Sequence, residues 1–157
     1  MSSDGRNTLS GIAGRVHKNL DFITAARNTG ADVHVVTQLL LSLLGLIVFP
    51  VQALREQNPK GLKSELLADL ETRGWPRWTF SNGGSSNLRD LLFHVRNAVS
   101  HHRLNFSSDS RNIEDVEITF RDRSIKATQD HWEAHIPAKD LQRFVELLSD
   151  FLAAQHH

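Results

Sequence analysis

Residues that could hold a phosphate and move protons are concentrated between Leu88 and Phe106. This segment has three arginines and three histidines but one carboxylate, Asp90, in a chain whose 18 lysines and arginines balance 18 aspartates and glutamates. An arginine can bind a phosphate through two parallel N–H donors and stabilise the charge that develops on it. A histidine titrates near neutral pH, so it can take a proton from a ribose hydroxyl or give one to the leaving oxygen. The combination points to phosphodiester cleavage.

The segment predicts an amphipathic helix from Leu88 to about His102, with Asn87 as its N-cap. When the residues of this segment are placed around a helix axis at about 100° per residue, they form one apolar face and two polar flanks. The apolar face has Leu88, Leu91, Leu92, Val95 and Val99, one flank has Arg89, Arg96 and Arg103, the other has His94, Asn97 and His101, and Phe93 and Ser100 lie between the flanks.

Arg96 and His101 lie roughly 140° apart on an ideal helix, so their side chains do not touch. They can still converge on a phosphate that lies over Asn97 and Ser100. Alternatively, two copies of the helix face each other and share one site, and isologous dimers are the commonest assemblies. A further interpretation involves no catalysis: Arg96 lies on a solvated face, and His101 caps the C-terminal end, where the helix dipole favours a protonated histidine.

The neighbouring polar residues are expected to support this site. His94 is assigned a supporting role, and Ser100 is not a nucleophile because no oriented base accompanies it. His102 projects closer to the core, so it is expected to pack or to cap the helix rather than to catalyse.

Other candidate sites are weaker. His131 and His135 lie four residues apart on a predicted strand, which separates them by about 13 Å, too far to share an ion. Neither a metal site nor a cofactor is therefore expected. Trp75 and Trp78 could stack on a base, but burial beside the core is the favoured interpretation.

Composition narrows the class of protein. The 157 residues, 39% hydrophobic and 23% charged, predict one globular domain over residues 1–157. The neutral charge balance argues against a protein that coats nucleic acid over its whole surface, because such binding needs a basic excess. With no cysteine there is neither a disulfide nor a thiolate metal site, and this fits a cytoplasmic location.

Three further expectations concern the N-terminus, the most apolar segment and the C-terminus of the chain. Residues 1–7 are expected to be flexible and lack the apolar stretch of a secretory signal. The run from Leu39 to Phe49 spans 11 residues, whereas a bilayer needs roughly 20, so no membrane span is expected. His156 and His157 are either a natural end or a remnant of a purification tag.

The elements around the polar helix predict a mainly α fold, a helical bundle with a small antiparallel β-hairpin before the C-terminal helix. Hydrophobic spacing and turn residues predict a first helix capped by Thr8 or Ser10 and running to about Arg27, further helices over Val33–Phe49, Leu62–Arg73 and Ala138–Ala153, a loop over Ser81–Ser86, and a hairpin that pairs Val116–Phe120 with Trp132–Ile136.

The segment Arg96-Asn97-Ala98-Val99-Ser100-His101 resembles the Arg-polar-x3-His motif of HEPN domains, the higher eukaryotes and prokaryotes nucleotide-binding superfamily. The apolar helix with Thr37-Gln38-Leu39 and Leu43–Pro50 is similar to the second helix of plasmid- and toxin-associated, ribonuclease-like HEPN proteins. The hairpin and closing helix are similar to that subgroup too, so the resemblance covers about residues 8–153.

The resemblance implies a metal-independent endoribonuclease that acts as a homodimer on RNA, as a toxin or defence effector. It implies Arg96 as phosphate binder, His101 as catalytic base or acid and Asn97 as an orienting residue. Arg89 and Arg103 are then expected to bind RNA. The alternative is a non-catalytic HEPN module that binds a nucleotide, RNA or a partner protein.

One position departs from the toxin subgroup. Some HEPN toxins carry a tyrosine two residues after the histidine, which a nucleotidyltransferase antitoxin modifies. Here that position is Arg103, and the chain has no tyrosine. Control by that modification is therefore not expected, whereas an antitoxin that acts by binding is still allowed.

Overall fold

The computed structural model describes residues 9–124, 126 and 128–154. The expectations for residues 1–7, for Thr8 as a cap and for His156 and His157 lie outside these residues. The helices are α1 (Leu9–Asn28), α2 (Val35–Leu46), α3 (Gln52–Gln57), α4 (Gly61–Ser64), α5 (Leu67–Thr72), α6 (Leu88–Ser100) and α7 (Ala138–Ala153), and the strands are β1 (Thr79–Asn82), β2 (Leu104–Phe106), β3 (Glu117–Asp122) and β4 (Trp132–Pro137). Mainly α is therefore correct as the fold class.

The long helices α1, α2 and α7 pack on one another and bury their apolar faces in a common core. Leu20 of α1, Leu43 of α2 and Leu148 of α7 are fully buried. At the surface, His17 of α1 lies 3.0 Å from Asp150 of α7. Helix α7 has the predicted bounds, whereas α1 already begins at Leu9, so Ser10 is not its cap. No helix among the described residues is both long enough and apolar enough to cross a bilayer.

We predicted a second helix over Val33–Phe49 that ends before Pro50. The structure differs, because the helical segment continues through Pro50. A π-helical turn over Ile47–Val51 contains Pro50 and leads directly into α3. Proline removes an N–H donor and clashes with the carbonyl four residues earlier, and a locally wider turn relieves that clash. The continuation matters for the site, because it carries Arg55 alongside α6.

We predicted one helix over Leu62–Arg73, but the structure has two short helices, α4 and α5, separated by Glu65 and Leu66. The Glu65 carbonyl accepts a hydrogen bond from Leu88 N at 2.9 Å, and Leu67 N donates to the Ser86 carbonyl at 2.9 Å. These long-range bonds replace bonds within a continuous helix. They attach the start of α6 to the preceding helices.

Within the described residues, the sheet has four antiparallel strands in the order β1-β4-β3-β2, whereas we predicted two. Strands β3 and β4 pair in register, with Phe120 opposite Ala134 and Asp122 opposite Trp132. Their inward residues, including Ile118, Phe120 and Trp132, are buried. The edge strands β1 and β2 were not predicted, and β1 occupies the start of the expected Ser81–Ser86 loop. Both are short and mostly exposed, so they lack the alternation that marks a half-buried strand.

Candidate functional site on helix α6

Helix α6 begins at a well-formed cap and buries one apolar face. The Asn87 side chain accepts a hydrogen bond from Asp90 N at 2.9 Å, which satisfies a free donor of the first turn. The buried residues are Leu88, Leu91, Leu92, Val95 and Ala98. Ala98 thus takes the buried place that the sequence assigned to Val99, which is only partly buried. The rest of the apolar face is as predicted.

The arginine flank of α6 faces a groove toward α3 and α4. A cavity of about 360 Å³ is lined by Arg55, Lys63, Asn87, Arg89, Asp90 and Phe93, and we call it the cationic groove. Arg96 lies beside it, since it lines a smaller recess that also contains Arg55, Arg89 and Phe93. The Phe93 ring is 44% exposed, although it is a large apolar side chain. The groove therefore combines cations with an accessible aromatic face.

The cations of this groove lack carboxylate partners among the residues that the structure describes. The lysines and arginines that do form ion pairs in the described part of the chain lie outside the groove. They are Arg73, Arg111, Arg121, Lys139 and Arg143. Arg55 Nε is buried without a hydrogen-bond partner, and Arg89 donates only a long bond of 3.5 Å to the Pro59 carbonyl. Asp90, the one acidic residue of the groove, accepts a bond from Ser85 at 2.6 Å. Positive charge is thus concentrated here in a chain of zero net charge.

The opposite flank of α6 lies against the sheet rather than in solvent. His94 Nδ1 lies 2.7 Å from Asp122 Oδ2, and Asn97 donates a hydrogen bond of 3.0 Å to the same oxygen. The His94 ring stacks on Trp132 with centroids 4.8 Å apart and planes inclined by 15°. His94 and Asn97 therefore form a packed polar contact with the sheet, which suits the supporting roles assigned to them.

His101 does not share this contact, although the ideal helix placed it on the same flank. Helix α6 ends at Ser100, two residues before the predicted end at about His102, and His101 is an exposed C-cap residue. His102 follows with a φ of 55°, in the left-handed region. His102 N donates to the Val99 carbonyl and Arg103 N donates to the Ala98 carbonyl, at 3.2 and 2.8 Å. These two bonds form a Schellman motif.

We expected His102 either to pack or to cap the helix. It caps the helix, and its side chain is exposed rather than packed in the core. Arg103 also departs from its predicted flank. Its Nη1 donates to the Arg123 carbonyl at 3.3 Å, so it lies at the end of β3, away from Arg89 and the groove. Ser100 and Arg96 are both exposed, as expected for the face opposite the core.

A comparison with protein families identifies the chain. The family model described as HEPN pEK499 p136 matches residues 1–157. The chain belongs to this HEPN family. Neither the curated proteins nor the solved structures yield a match.

The residues of the Arg-Asn-x3-His segment are thus distributed over two environments. Arg96 and Ser100 are exposed on α6, and His101 is exposed just beyond it, whereas Asn97 is turned toward Asp122. In this HEPN chain Arg96 is open to solvent beside the cationic groove, and His101 is open to solvent on the C-terminal side of α6.

Three residues near the site escaped the analysis of the sequence. Arg55 and Lys63 lie on α3 and α4, and no sequence spacing relates them to α6. Asp122 did carry a signal. It is in phase with the inward residues Ile118 and Phe120, and a carboxylate at an inward position of a strand indicates a buried polar contact.

Proposed function

We propose that this HEPN protein is an endoribonuclease in which Arg96 and His101 are the catalytic residues. The observation that carries the proposal is that Arg96 of the Arg-Asn-x3-His segment lies beside a groove of unpaired cations, while His101 is exposed just beyond the C-terminal end of the same helix. Unpaired cations around one groove favour a polyanion, since binding releases counterions and is not opposed by local carboxylates. The exposed Phe93 ring offers a surface on which a base can stack.

The residue inventory favours chemistry at the 2′-hydroxyl. Metal-assisted phosphoryl transfer needs carboxylates to hold the ion at the phosphate, and the only carboxylate lining the groove, Asp90, already accepts a bond from Ser85. We therefore assign proton transfer to His101 and stabilisation of the phosphate charge to Arg96. A ribose 2′-hydroxyl is tethered next to its phosphate, so its attack requires no bound nucleophile.

In this reaction the 2′-oxygen forms a bond to phosphorus and the bond to the 5′-oxygen breaks. A histidine accepts the 2′-hydroxyl proton, and a proton is delivered to the leaving 5′-oxygen. The products are a 2′,3′-cyclic phosphate and a 5′-hydroxyl. DNA lacks the 2′-hydroxyl, so a matched DNA strand binds in the groove but is not cut.

The test compares cleavage of a labelled RNA by the wild type, Arg96→Ala, Arg96→Lys and His101→Ala, in buffer with a chelator. We expect each variant to lose cleavage while its melting temperature changes little, because both positions are exposed and such substitutions shift stability by about 0.5 kcal/mol or less. Arg96→Lys is included because an ammonium lacks the planar two-donor fork. Arg15→Ala and His34→Ala, at exposed positions of α1 and just before α2, are the matched controls.

Two outcomes would contradict the proposal. Full cleavage by His101→Ala at unchanged stability would exclude its catalytic role. Activity that needs magnesium, or cleavage of the matched DNA, would exclude the 2′-hydroxyl mechanism. RNA binding through the groove without any cleavage would instead favour the second candidate, a non-catalytic HEPN module that binds RNA or nucleotide.

We also propose that the cleavage serves as a toxin or defence effector activity. The support is the resemblance of the apolar second helix and of the Arg-Asn-x3-His segment to toxin-associated HEPN proteins. Growth arrest on expression of the wild type, but not of His101→Ala, is the expected outcome.

A further inference from the structure

We propose that His94, Asp122 and His131 form a binding site for a divalent transition-metal ion of the zinc type, separate from Arg96 and His101. Each residue offers one ligand atom, and these atoms all lie within 4.8 Å of one another. The residues come from three places in the chain, namely α6, the end of β3 and the residue before β4. The proposal does not depend on the endoribonuclease activity.

The backbone holds two of these residues together. Asp122 pairs with Trp132 in the β3–β4 register, and His131 N donates a hydrogen bond of 3.0 Å to the Asp122 carbonyl. His131 thereby lies next to Asp122, although it comes nine positions later in the sequence. His135, the other histidine of this segment, takes no part, because it contacts Ser81 and Thr119 instead.

The third residue is held by packing. The His94 ring stacks on Trp132 and makes an edge contact with His131, with ring centroids 5.7 Å apart. The His94 side chain is 13% exposed, so few alternative positions are open to it. The three groups are thus placed by a helix, a strand register and an aromatic stack, and side-chain rotation would have to bring their ligand atoms closer to reach one ion.

The charge of Asp122 favours an added cation. Its side chain is 4% exposed, and His94 is the only basic side chain within ion-pair distance of it in the described part of the chain. A buried carboxylate is costly unless charge and hydrogen bonds compensate it. Both of its side-chain hydrogen bonds, from His94 and Asn97, reach Oδ2. A bound cation would place a further positive charge beside this carboxylate.

The donor set selects the type of ion. Two imidazoles and one carboxylate suit zinc and neighbouring transition metals, whereas magnesium and calcium prefer oxygen ligands throughout. His94 has a carboxylate near each ring nitrogen, Asp122 at Nδ1 and Asp90 at Nε2, the latter at 3.5 Å. With the metal at one nitrogen, the N–H of the other can point to a carboxylate, an arrangement that orients histidine ligands in metal proteins.

Such an ion would connect α6 to β3 and β4. It would stabilise the folded chain, because an ion that binds only the folded state shifts the unfolding equilibrium. The three proposed ligands lie on the sheet-facing flank of α6 and do not line the cationic groove, although Asp90, next to His94, does. The proposed ion therefore need not act on RNA. A chelator should therefore lower the melting temperature while leaving cleavage at lower temperature unchanged.

The test uses the full chain with His156→Ala and His157→Ala, which removes terminal histidines as competing zinc ligands. After removal of metal, Zn²⁺ is titrated calorimetrically and the melting temperature is recorded with and without Zn²⁺. We expect about one ion per chain, a higher melting temperature with Zn²⁺, and no comparable effect of Mg²⁺.

The decisive variant is His131→Ala, because this exposed side chain can be removed without opening the core. We expect its metal-free melting temperature to match that of the parent and its zinc affinity to fall at least about tenfold. His34→Ala, which removes another exposed histidine, should bind zinc like the parent. Asp122→Asn should also lose zinc binding. Absence of zinc binding by the parent, or equal binding by His131→Ala, would overturn the proposal.

Discussion

At the scale of the residue, Asp122 organises one flank of the motif helix. It receives the side chains of His94 and Asn97, so the asparagine of the Arg-Asn-x3-His segment contacts the protein rather than the cationic groove. Asn97 thereby ties the last turn of α6 to the end of β3.

His102 is strained by its place in the chain. Among the described residues other than glycine, His102 alone has a positive φ, which is 55°. It occupies a position that glycine usually takes. A β-carbon in the left-handed region costs roughly 1 kcal/mol. We expect His102→Gly to raise the stability by about 0.5–1 kcal/mol, and thus the melting temperature by about 2 °C, without loss of cleavage.

Calorimetric melting of His102→Gly beside His101→Gly checks this expectation. His101 has an ordinary φ of −101°, so glycine there relieves no strain and should not stabilise. If both variants melted at or below the wild-type temperature, the conformation assigned to His102 would be wrong.

At the scale of the element, α3 and α6 together make the surface that we assign to RNA. Arg55 is brought to Arg89 and Arg96 by the continuation of the α2 segment through Pro50. We expect Arg55→Ala and Lys63→Ala each to weaken RNA binding to a similar extent for every sequence, because phosphate contacts carry no base information. Each should also reduce the dependence of log affinity on log salt by about one unit.

Titration of a short RNA at several salt concentrations measures both effects. Arg15→Ala and Lys18→Ala on α1 are the charge-matched controls and should bind like the wild type. An unchanged salt dependence in both groove variants would show that RNA does not bind along α3 and α4.

The outer face of the sheet carries a second polar network, around Glu133. Ser81 donates a hydrogen bond to Glu133 at 2.7 Å, and Arg121 donates one at 2.8 Å. The hydrogen bond from Ser81, and then that from Arg121, hold the pKa of Glu133 below its usual value of 4.5. Because folding lowers this pKa, Glu133 stabilises the fold above about pH 4.5, and the contribution is lost as the pH falls through the lower folded value.

We therefore expect Glu133→Gln to destabilise the protein at pH 7 by about 1 kcal/mol or less. The difference from the wild type should shrink as the pH is lowered below 4.5, the ordinary pKa of the group. Urea unfolding of both proteins at pH 7 and near pH 3 measures it. A difference that stays constant over this range would show that the charge of Glu133 does not contribute.

At the scale of the whole molecule, one chain leaves Arg96 and His101 on different parts of α6. Arg96 lies on the exposed face, and His101 lies beyond the helix end. We predict a homodimer in which the α6 helices of two copies approach each other, so that Arg96 of one chain and His101 of the other act on one phosphate. Light scattering should give twice the 17.7 kDa of one chain.

Mixing two inactive variants gives a more stringent test of the shared site. A dimer of one Arg96→Ala chain and one His101→Ala chain retains one intact Arg96–His101 pair across the interface. After subunit exchange, an equimolar mixture should recover about a quarter of the wild-type rate, because half of the dimers are mixed and each has one intact site. A mass of 17.7 kDa at micromolar concentration would exclude the dimer.

The elements that could be predicted are those whose signal is local. Helix α7 and most of α6 follow from apolar residues at helical spacing, and the cap of α6 follows from Asn87, because a helix bonds residues only four apart. The exposure of Arg96 follows from the same periodicity, whereas His101 is exposed because α6 ends at Ser100. These features need no knowledge of what packs against the helix.

The tertiary structure decided what meets α6 on either flank. The register of β3 and β4 brings Asp122 and His131 to His94, and the π-helical turn brings Arg55 to Arg89. These residues are far apart in the sequence, so the spacing of residues along a helix or strand does not reveal the contacts. The break between α4 and α5 has the same origin, since Glu65 and Leu67 bond to the start of α6 instead of within one helix. Hydrogen-bond donors and charges were visible in the sequence, but their partners depend on contacts between distant segments, which only the folded chain establishes.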